Sequence, residues 1–496
     1  MINLDQIRNL FIGLETKYPT RLGTNIRQCY LDSTASSLAF LPSVNFINDY
    51  LKYYANVHSD SHNSAKISTQ LFEWSANEIL KLVNADPEIY TCIFLGSGAT
   101  AAINRASQIL RQINPKPRVL VSLMEHHSND LPHRQRSEVT HLSLLDTPTG
   151  LGGIDIEKLE QELKTKDVSY VAVTGVSNVT GIINPIEKIA KLAHSYDSYI
   201  IIDAAQMGPH MPIDLAICKA DALVLAGHKM YAPSSPGVLI IKKVLLDSSK
   251  PIDLGGGMVT DVSLSDYAIS NIYPDRELAG TPNIVGSIML GVTANTLRRV
   301  GMHNVQAKEQ SLTQYLLNKL AEIPQITVYG NLDPHNRVGV ISFNINKLPH
   351  KLTAIILNDY FGIAVRNQCF CAHPYVRSLI REELWSMADD IDLPEEQVDA
   401  YIDRYKGMVR ISLGLYNTVE DIDCVVSALI EIISHIDYYK EQYIEDTTGG
   451  FIHISEKELP LPLSQPEIVM EKYIRDHLKK LNKGEVEFVN LVINEY

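Results

Sequence analysis

The sequence predicts an α/β protein in which a large, mostly parallel sheet is covered by helices on both faces and is followed by a smaller C-terminal α/β unit. The prediction rests on three observations. Short apolar runs rich in β-branched residues recur between residues 91 and 242, helix-like segments separate them, and small or polar residues follow each run. A chain of 496 residues is long enough for two or three such units.

The apolar runs are continuous rather than alternating, which is typical of strands that are buried on both faces. The predicted strands of the large sheet are 91–95, 118–123, 168–176, 199–203, 221–227 and 237–242. The helix-like segments are 99–113, 155–165, 186–196 and 209–218. Because ligands bind at the carboxyl ends of the strands in such sheets, the residues after each run are the candidates for a functional site.

The whole chain divides into four predicted parts. They are an N-terminal helical segment at 1–28, a large domain at 29–262, a small C-terminal domain at 263–437 and an appendage of unassigned role at 438–496. Hydrophobic periodicity predicts an amphipathic helix over 4–16 and one long helix from about 283 to 322. In the appendage we expect a charged helix over 467–482 and a strand over 485–494.

Composition excludes several classes of function. Lys and Arg total 44 and Asp and Glu total 58, which gives a net charge of −14 and argues against broad binding to nucleic acid or anionic membranes. No apolar run approaches the roughly 18 residues that span a bilayer, and the N-terminus does not look like a signal peptide. The six cysteines form no disulfide framework and no cluster with metal-ligand spacing, so we expect a reducing cytoplasm and no metal.

Five motifs follow the predicted strands and bring reactive side chains to one edge of the sheet. They are 96-GSGAT-100, 125-EHHSND-130, 174-TGVSNVTGIINP-185, 203-DAAQ-206 and 226-AGHKMYAP-233. Each motif alone has an ordinary explanation, such as a tight turn, a helix N-cap or a surface lysine. Together they supply a Schiff-base lysine, an aspartate for a pyridinium nitrogen, a ring-stacking histidine and an anion cradle, which are the parts that pyridoxal phosphate (PLP) requires.

The same motifs carry a resemblance to a known family. In chain order, GSGATAAIN, EHHSN, SNVTGIINPI, DAAQ, AGHKMYAPSSPGVL, AGTPN and RISLGLYNTVED resemble the class V aminotransferase-fold enzymes, and they are most similar to the cysteine desulfurase and selenocysteine lyase group. The resemblance covers residues 28–435. It implies the PLP-transferase type I fold, with a seven-stranded, mostly parallel sheet in the large domain, and a homodimer with its sites at the subunit interface.

The resemblance also implies a role for each matching residue. The catalytic residues that it implies are Lys229, Cys371 and His126. The cofactor-binding residues are Ala99, Thr100, His126, Asp203, Gln206, His228, Lys229 and Thr281. The substrate-binding residues are Asn178, Arg366 and Arg410.

Within this set, the resemblance makes Lys229 the Schiff-base lysine and Asp203 the partner of the ring nitrogen. Gln206 becomes the partner of the phenolic oxygen, and His126 stacks on the ring. Thr281 reaches the phosphate bound by the neighbouring subunit.

On the substrate side, the resemblance makes Arg410 the residue that grips the substrate carboxylate and Cys371 the nucleophile. The polar, proline-ended loop around Cys371, with an arginine nearby, suits a thiolate. The spacing to Ala372 and Pro374 favours Cys371 over Cys369 as that nucleophile.

The sequence departs from the group's pattern at several positions. Ala226 and Ala99 stand where the group has hydroxyl donors to the phosphate, and each lost hydrogen bond is worth on the order of 1 kcal/mol. Ser59 stands where the most similar members have Arg. The segment 368–370 replaces the Gly and His that usually precede the nucleophile, which leaves the substrate and the sulfur acceptor open.

The sequence therefore predicts a PLP-dependent cysteine desulfurase-like lyase. The resemblance implies that it converts L-cysteine or selenocysteine to alanine and leaves a persulfide on Cys371 for a sulfur-acceptor protein or a reductant. One alternative is a β-eliminating C–S lyase, or another class V enzyme acting on a different amino acid, in which Cys371 would be dispensable. A second alternative is a catalytically silent partner protein without PLP, against which the intact Lys229, Asp203 and Arg410 argue.

Overall fold

The computed structural model describes residues 4–390, 406–455 and 459–482. Its large domain is built on one sheet of seven strands. From edge to edge, the strands are Tyr90–Leu95, Gly237–Lys242, Ala222–Ala226, Tyr199–Asp203, Val168–Thr174, Arg118–Ser122 and Glu138–Leu142. Six of them run parallel, and only Gly237–Lys242 runs antiparallel to both of its neighbours. The predicted seven-stranded, mostly parallel sheet is confirmed.

The sequence analysis missed one strand of this sheet. Glu138–Leu142 lies at the sheet edge and buries only Leu142 fully, whereas every residue of the central strand Val168–Thr174 is buried. An edge strand of this kind needs no continuous apolar run. Its sequence, EVTHL, therefore did not stand out.

Helices cover the sheet as predicted, with one marked difference. The larger ones are Leu41–Tyr50, Asn63–Leu82, Gly98–Ile113, Ile156–Leu163 and Ile186–Ser195. Short helices occur at Leu131–Arg134, Leu215–Cys218 and Lys243–Asp247, and small hairpins at Leu144–Thr147 with Gly150–Ile154 and at Val259–Val262 with Tyr267–Ile269. The predicted helix over 209–218 is confined to its last four residues, because Pro209 and Pro212 cannot donate backbone hydrogen bonds.

The small domain contains a four-stranded antiparallel sheet. Its order is Ile326–Val328, Val340–Ile345, Met408–Ser412 and Arg366–Gln368. The helices of this part are Met302–Ala321, His350–Phe361, His373–Asp390 and Val419–Ser434. The predicted single helix over 283–322 is wrong: Ile284–Val300 and Met302–Ala321 are separate, because Gly301 has a φ of 87° that a continuing helix does not allow.

The N-terminal segment is helical only at its start. A short helix, Leu4–Ile7, and the 3-10 turn Arg8–Leu10 are followed by an antiparallel hairpin, Lys17–Pro19 with Asn25–Arg27. The helix predicted over 4–16 ends early because Phe11 is extended and bridges Phe40, and a helical segment over all of 1–28 is therefore wrong. The strand Cys29–Tyr30 then pairs with Ile363–Ala364 of the small domain.

This segment packs against both domains through one aromatic ring. The Phe11 ring lies 5.1 Å from the Tyr231 ring in the large domain and 4.9 Å from the Tyr416 ring, which follows the small-domain sheet. The Arg8 guanidinium donates to the Asp421 carboxylate at 2.7 Å. Edge-to-face aromatic contacts of this kind add to the hydrophobic stabilisation of a buried ring.

The described part of the appendage packs on the small domain through its hairpin. The elements are the helix Ile436–Glu441, the hairpin Tyr443–Glu445 with Phe451–His453, and the helix Pro466–Asn482. Tyr443 Oη donates to Asp359 at 2.9 Å, and Tyr360 Oη lies 3.1 Å from His453 Nε2. The strand predicted over 485–494 lies outside the described residues. Within the described ranges, every helix is too short or too polar to cross a membrane.

We expect Phe11→Ala to lower the free energy of unfolding by about 3–5 kcal/mol, because it removes a buried ring that several aromatic neighbours surround. Chemical denaturation followed by circular dichroism measures the change. The matched control is Ile12→Ala, since the adjacent Ile12 is 42% exposed. Equal denaturant concentrations at the unfolding midpoint for the two variants would show that the N-terminal segment does not stabilise the packing of the two domains.

Candidate active site

A cavity of about 280 Å³ lies at the carboxyl ends of the parallel strands, where the small domain meets the sheet. All but one of the predicted site residues line it. These are Ala99, Thr100, His126, Asn178, Asp203, Gln206, His228, Lys229, Arg366, Cys371 and Arg410. The exception is Thr281, which is exposed and whose hydroxyl lies 3.5 Å from Asn56 Nδ2.

Lys229 reaches the cavity from the 3-10 turn Gly227–Lys229, which follows the strand Ala222–Ala226. Its amine makes no hydrogen bond or ion pair with any described residue. Burial lowers the Lys229 pKa to about 8, although the nearby Asp203 carboxylate opposes the shift. A lysine with such a pKa is neutral, and therefore nucleophilic, in a far larger fraction of molecules than an ordinary lysine.

Asp203 ends the neighbouring parallel strand, Tyr199–Asp203. Its Oδ1 accepts a hydrogen bond from the Ala205 N–H at 2.9 Å, and no helix begins there, so it is not a helix N-cap. Burial raises the Asp203 pKa even though Ala205 and Lys229 favour the charged form. No cation of the described chain forms an ion pair with this carboxylate.

The predicted anion cradle is the start of the helix Gly98–Ile113. Ser97, Ala99 and Thr100 line the cavity at this helix end, where backbone N–H groups and the helix dipole favour an anion. A side-chain carbon at Gly237 would lie 1.9 Å from the Gly98 carbonyl oxygen. Gly237 thus lets the antiparallel strand pass directly behind the cradle.

His126 provides a neutral ring in the cavity wall. Its Nδ1 accepts from the Ser128 N–H at 3.1 Å, so the ring proton is on Nε2. Burial, together with the charges of Lys229 and Arg410, lowers the His126 pKa to about 3. His127 does not line the cavity; its ring stacks on the His373 ring, with the ring centres 4.9 Å apart, so only one of the two adjacent histidines reaches the site.

The sequence analysis did not single out Glu125, which fastens the turn that carries His126. Glu125 Oε1 accepts from Ser122 Oγ and from the Thr174 N–H at 2.9 Å, and Oε2 accepts from Asn129 Nδ2 at 2.7 Å. Burial raises the Glu125 pKa to about 8. A glutamate three residues after a buried strand was the available signal, because such a residue is seldom buried without a structural task.

Arg410 comes from the small-domain strand Met408–Ser412 and is also buried. Its guanidinium donates to the Asn178 carbonyl at 2.8 Å and to Asp32 at 3.4 Å, and it lies 4.5 Å from the centre of the Phe370 ring. Burial lowers the Arg410 pKa to about 10, which leaves the side chain a cation at neutral pH. Its Nε is buried and has no acceptor among the described residues.

Neither Asp32 nor Phe370 was a predicted site residue. Asp32 holds Arg410 and also lies 3.8 Å from the more exposed Arg366. Phe370 takes a position that the sequence analysis noted only as a departure from the group's pattern. A lone acidic residue and a lone phenylalanine give no signal in sequence, since only the fold brings them to the arginines.

The loop that carries Cys371 has an unusual backbone. Gln368, Phe370 and Cys371 all have positive φ values, of 99°, 52° and 55°, each of which costs roughly 1–3 kcal/mol for a residue with a side chain. The Phe370 carbonyl accepts from Asn178 Nδ2 at 2.8 Å, and the Cys371 carbonyl accepts from the His127 N–H at 2.7 Å. These bonds tie the loop to the large domain.

The two cysteines of this loop are placed differently. Cys371 is exposed and lines the cavity, whereas Cys369 is buried and its Sγ lies 3.9 Å from the Lys406 carbonyl oxygen. Of the two thiols, only that of Cys371 lies where it can meet a ligand in the cavity.

Comparison with known proteins places this site in a family. The class-V aminotransferase family matches residues 29–425. The chain is 33% identical over 405 residues to a "Probable cysteine desulfurase" of Halalkalibacterium halodurans, and the match covers 81% of this chain and 92% of that one. It is 31% identical over 406 residues to a cysteine desulfurase of Escherichia coli, covering 81% and 93%. The chain belongs to the cysteine desulfurase group of the class V aminotransferases.

Solved structures of the group agree with this assignment. The apo cysteine desulfurase of Thermococcus onnurineus superposes with a TM-score of 0.71 at 27% identity, covering 82% of this chain and 95% of that one. A cysteine desulfurase of Escherichia coli superposes with a TM-score of 0.70 at 25% identity, covering 88% and 99%. The class V fold is that of PLP-dependent enzymes, and this protein is one of them.

The cavity fits PLP because three of its polar groups keep hydrogen-bonding capacity that the described chain does not use. The Lys229 amine and the Asp203 carboxylate are not paired with each other. Gln206 Oε1 is buried without a donor, while its Nε2 donates to the Thr34 carbonyl at 3.0 Å. A bound ring with a phosphate would engage all three groups and the helix N-terminus. Near the cradle, where Ala226 lacks a hydroxyl, Ser128 Oγ lies 2.7 Å from Thr100 Oγ1 and supplies one.

We expect the Lys229 amine of cofactor-free protein to react with acetic anhydride with a pH midpoint near 8, because burial favours its neutral form. The reactive fraction rises with pH, and free Nα-acetyllysine amide serves as the reference, with a midpoint of about 10.4. Brief acetylation at stepped pH, followed by peptide mass mapping, gives both curves. Coincident curves would show that the cavity does not activate this lysine.

Proposed function

We propose that the protein is a cysteine desulfurase that takes sulfur from L-cysteine, or selenium from selenocysteine, and releases alanine. The main support for this proposal is that four separate segments bring four reactive side chains to one cavity. These side chains are Lys229, Asp203, Arg410 and Cys371. The names of the similar proteins support the same activity. The division of the chain at residues 28, 262 and 437 stays a proposal.

Arg410 would bind the substrate carboxylate. Its planar guanidinium is already held by Asn178 and Asp32, so little conformational entropy is lost when a carboxylate binds. Arg366 adds positive charge at the more exposed side of the cavity. Asn178 holds Arg410 through its carbonyl and the Cys371 loop through its amide, so it sets the distance between carboxylate and nucleophile.

Four residues would provide proton transfer and cofactor binding. PLP, when bound, supplies an electron sink for negative charge at the substrate α carbon. Asp203 keeps a ring nitrogen protonated by offering it a buried carboxylate, and Gln206 and His126 hold the ring. The Lys229 amine accepts the α proton and returns it, for which a pKa of about 8 is suited.

Cys371 would accept the sulfur. Its sulfur loses a proton and attacks the substrate sulfur, so that an S–S bond forms while the substrate Cβ–S bond breaks. The carbon keeps that electron pair and takes up a proton to give alanine. Cys371 then carries a persulfide, whose outer sulfur passes to an acceptor protein or leaves when a reductant cleaves the S–S bond.

The assembly and location are also proposals. We propose a homodimer in which Thr281, exposed and outside the cavity of its own chain, reaches the phosphate site of the other subunit. We further propose that the enzyme works in the cytoplasm, and that its partners are the amino-acid substrate and a sulfur-acceptor protein. The net charge of −14 gives no reason to expect nucleic acid or membrane partners.

Incubation of the PLP-loaded enzyme with L-cysteine and a reductant tests the activity. We expect alanine and sulfide from the wild type and at least a hundredfold less from Cys371→Ser, because serine cannot form a persulfide. Cys369→Ser is the matched control and should stay active, since Cys369 lies outside the cavity. Pyruvate and ammonia that persist in Cys371→Ser would mean the β-eliminating alternative. A protein without PLP absorbance would mean the silent-partner alternative.

We expect Arg410→Lys to raise KM for L-cysteine roughly 10- to 100-fold, because hydrogen bonds to a charged group are worth about 1.5–3 kcal/mol. Arg366→Lys should have a smaller effect, since the Arg366 side chain is 60% exposed. Steady-state kinetics of both variants give the comparison. A larger KM effect in Arg366→Lys would reverse the roles proposed for the two arginines.

A further inference from the structure

Two cysteines outside the cavity lie together between the N-terminal strand and the small domain. Cys29 is buried on the strand Cys29–Tyr30, and Cys424 is exposed on the helix Val419–Ser434. Cys29 Sγ lies 3.6 Å from the carbonyl oxygen of Asp421, which is one helical turn before Cys424, so the two cysteine side chains are neighbours.

The backbone on both sides of this pair is held in place. The Cys29 N–H donates to the Gly362 carbonyl at 2.9 Å within the pairing to Ile363–Ala364. On the helix side, Asp421 accepts from Arg8 at 2.7 Å and from the Thr418 N–H at 3.1 Å. The two sulfurs therefore stay adjacent in the folded protein and need no domain movement to meet.

The two thiols differ in reactivity. The neighbouring Cys29 thiol, assisted by the Arg27 guanidinium, lowers the Cys424 pKa to about 7, whereas Cys424 and burial raise the pKa of Cys29. Cys424 is thus the more acidic and the more exposed of the two thiols. An accessible low-pKa thiol beside a second cysteine is the arrangement that oxidants turn into a disulfide.

We propose that Cys424 is a site of oxidative modification that closes a reversible disulfide with Cys29 when the protein meets hydrogen peroxide. The Cys424 sulfur attacks one peroxide oxygen, the O–O bond breaks and hydroxide leaves, so Cys424 becomes a sulfenic acid. Cys29 then attacks the Cys424 sulfur, gives up its proton and displaces hydroxide. The two sulfurs lose two electrons in total, peroxide is reduced to two waters, and a dithiol reductant reverses the change.

The other four cysteines are two buried thiols and the two thiols of the active-site loop. Cys92 and Cys218 are buried, and burial raises the pKa of both thiols. Cys369 and Cys371 are two residues apart in the loop of the active site. The disulfide is therefore independent of the proposed desulfurase chemistry, and its test does not depend on that activity.

The test treats the full-length holoenzyme with hydrogen peroxide in the absence of reductant, and then alkylates, digests and maps the peptides by mass. We expect one linked species that joins the Cys29 and Cys424 peptides, lighter by two hydrogen atoms than their sum and lost on treatment with dithiothreitol. The chain should remain monomeric on a non-reducing denaturing gel, because the bond forms within one chain.

Three variants separate the outcomes. Cys424→Ser should abolish the linked peptide and leave Cys29 reduced, while Cys29→Ser should let a sulfenic acid accumulate at Cys424, where dimedone traps it. Cys218→Ser is the control and should keep the link. The proposal is overturned if Cys29 and Cys424 both remain free thiols at a peroxide dose that oxidises Cys371, or if either one links to another cysteine or to a second chain.

Discussion

Asp203 ends one parallel strand and Lys229 lies in the turn that follows the neighbouring strand, yet these oppositely charged groups do not form an ion pair with each other. Burying two such groups without pairing them is costly, and most proteins avoid it. Here both side chains reach one edge of the sheet, because the two strands that precede them run in the same direction.

The small domain completes the site, and backbone hydrogen bonds hold it in place. Asn178, on the large domain, donates to the Phe370 carbonyl and accepts from Arg410, so one residue holds both the nucleophile loop and the carboxylate-binding arginine. The His127 N–H holds the Cys371 carbonyl in the same way. These bonds join the large domain to the small domain. The position of Arg410 and of the Cys371 loop relative to the large domain therefore depends on how the two domains pack.

Sequence predicted the parts of this structure that depend on local pattern. The buried strands and the polar residues at their ends were found because burial on both faces requires continuous apolar runs. Glu138–Leu142 was missed because an edge strand needs no such run, and the break at Gly301 because helical periodicity continues across it. Glu125, Asp32 and Phe370 were missed because their tasks arise only from tertiary contacts, which no spacing in the chain reports.

Gly237 lies on the single antiparallel strand of the large sheet, directly behind the first turn of the helix that forms the anion cradle. Even one methyl group there would collide with the Gly98 carbonyl. A larger side chain at this position would therefore displace the cradle, although Gly237 itself does not line the cavity. The positions at which the active site tolerates no larger side chain therefore include residues, such as Gly237, that do not line the cavity.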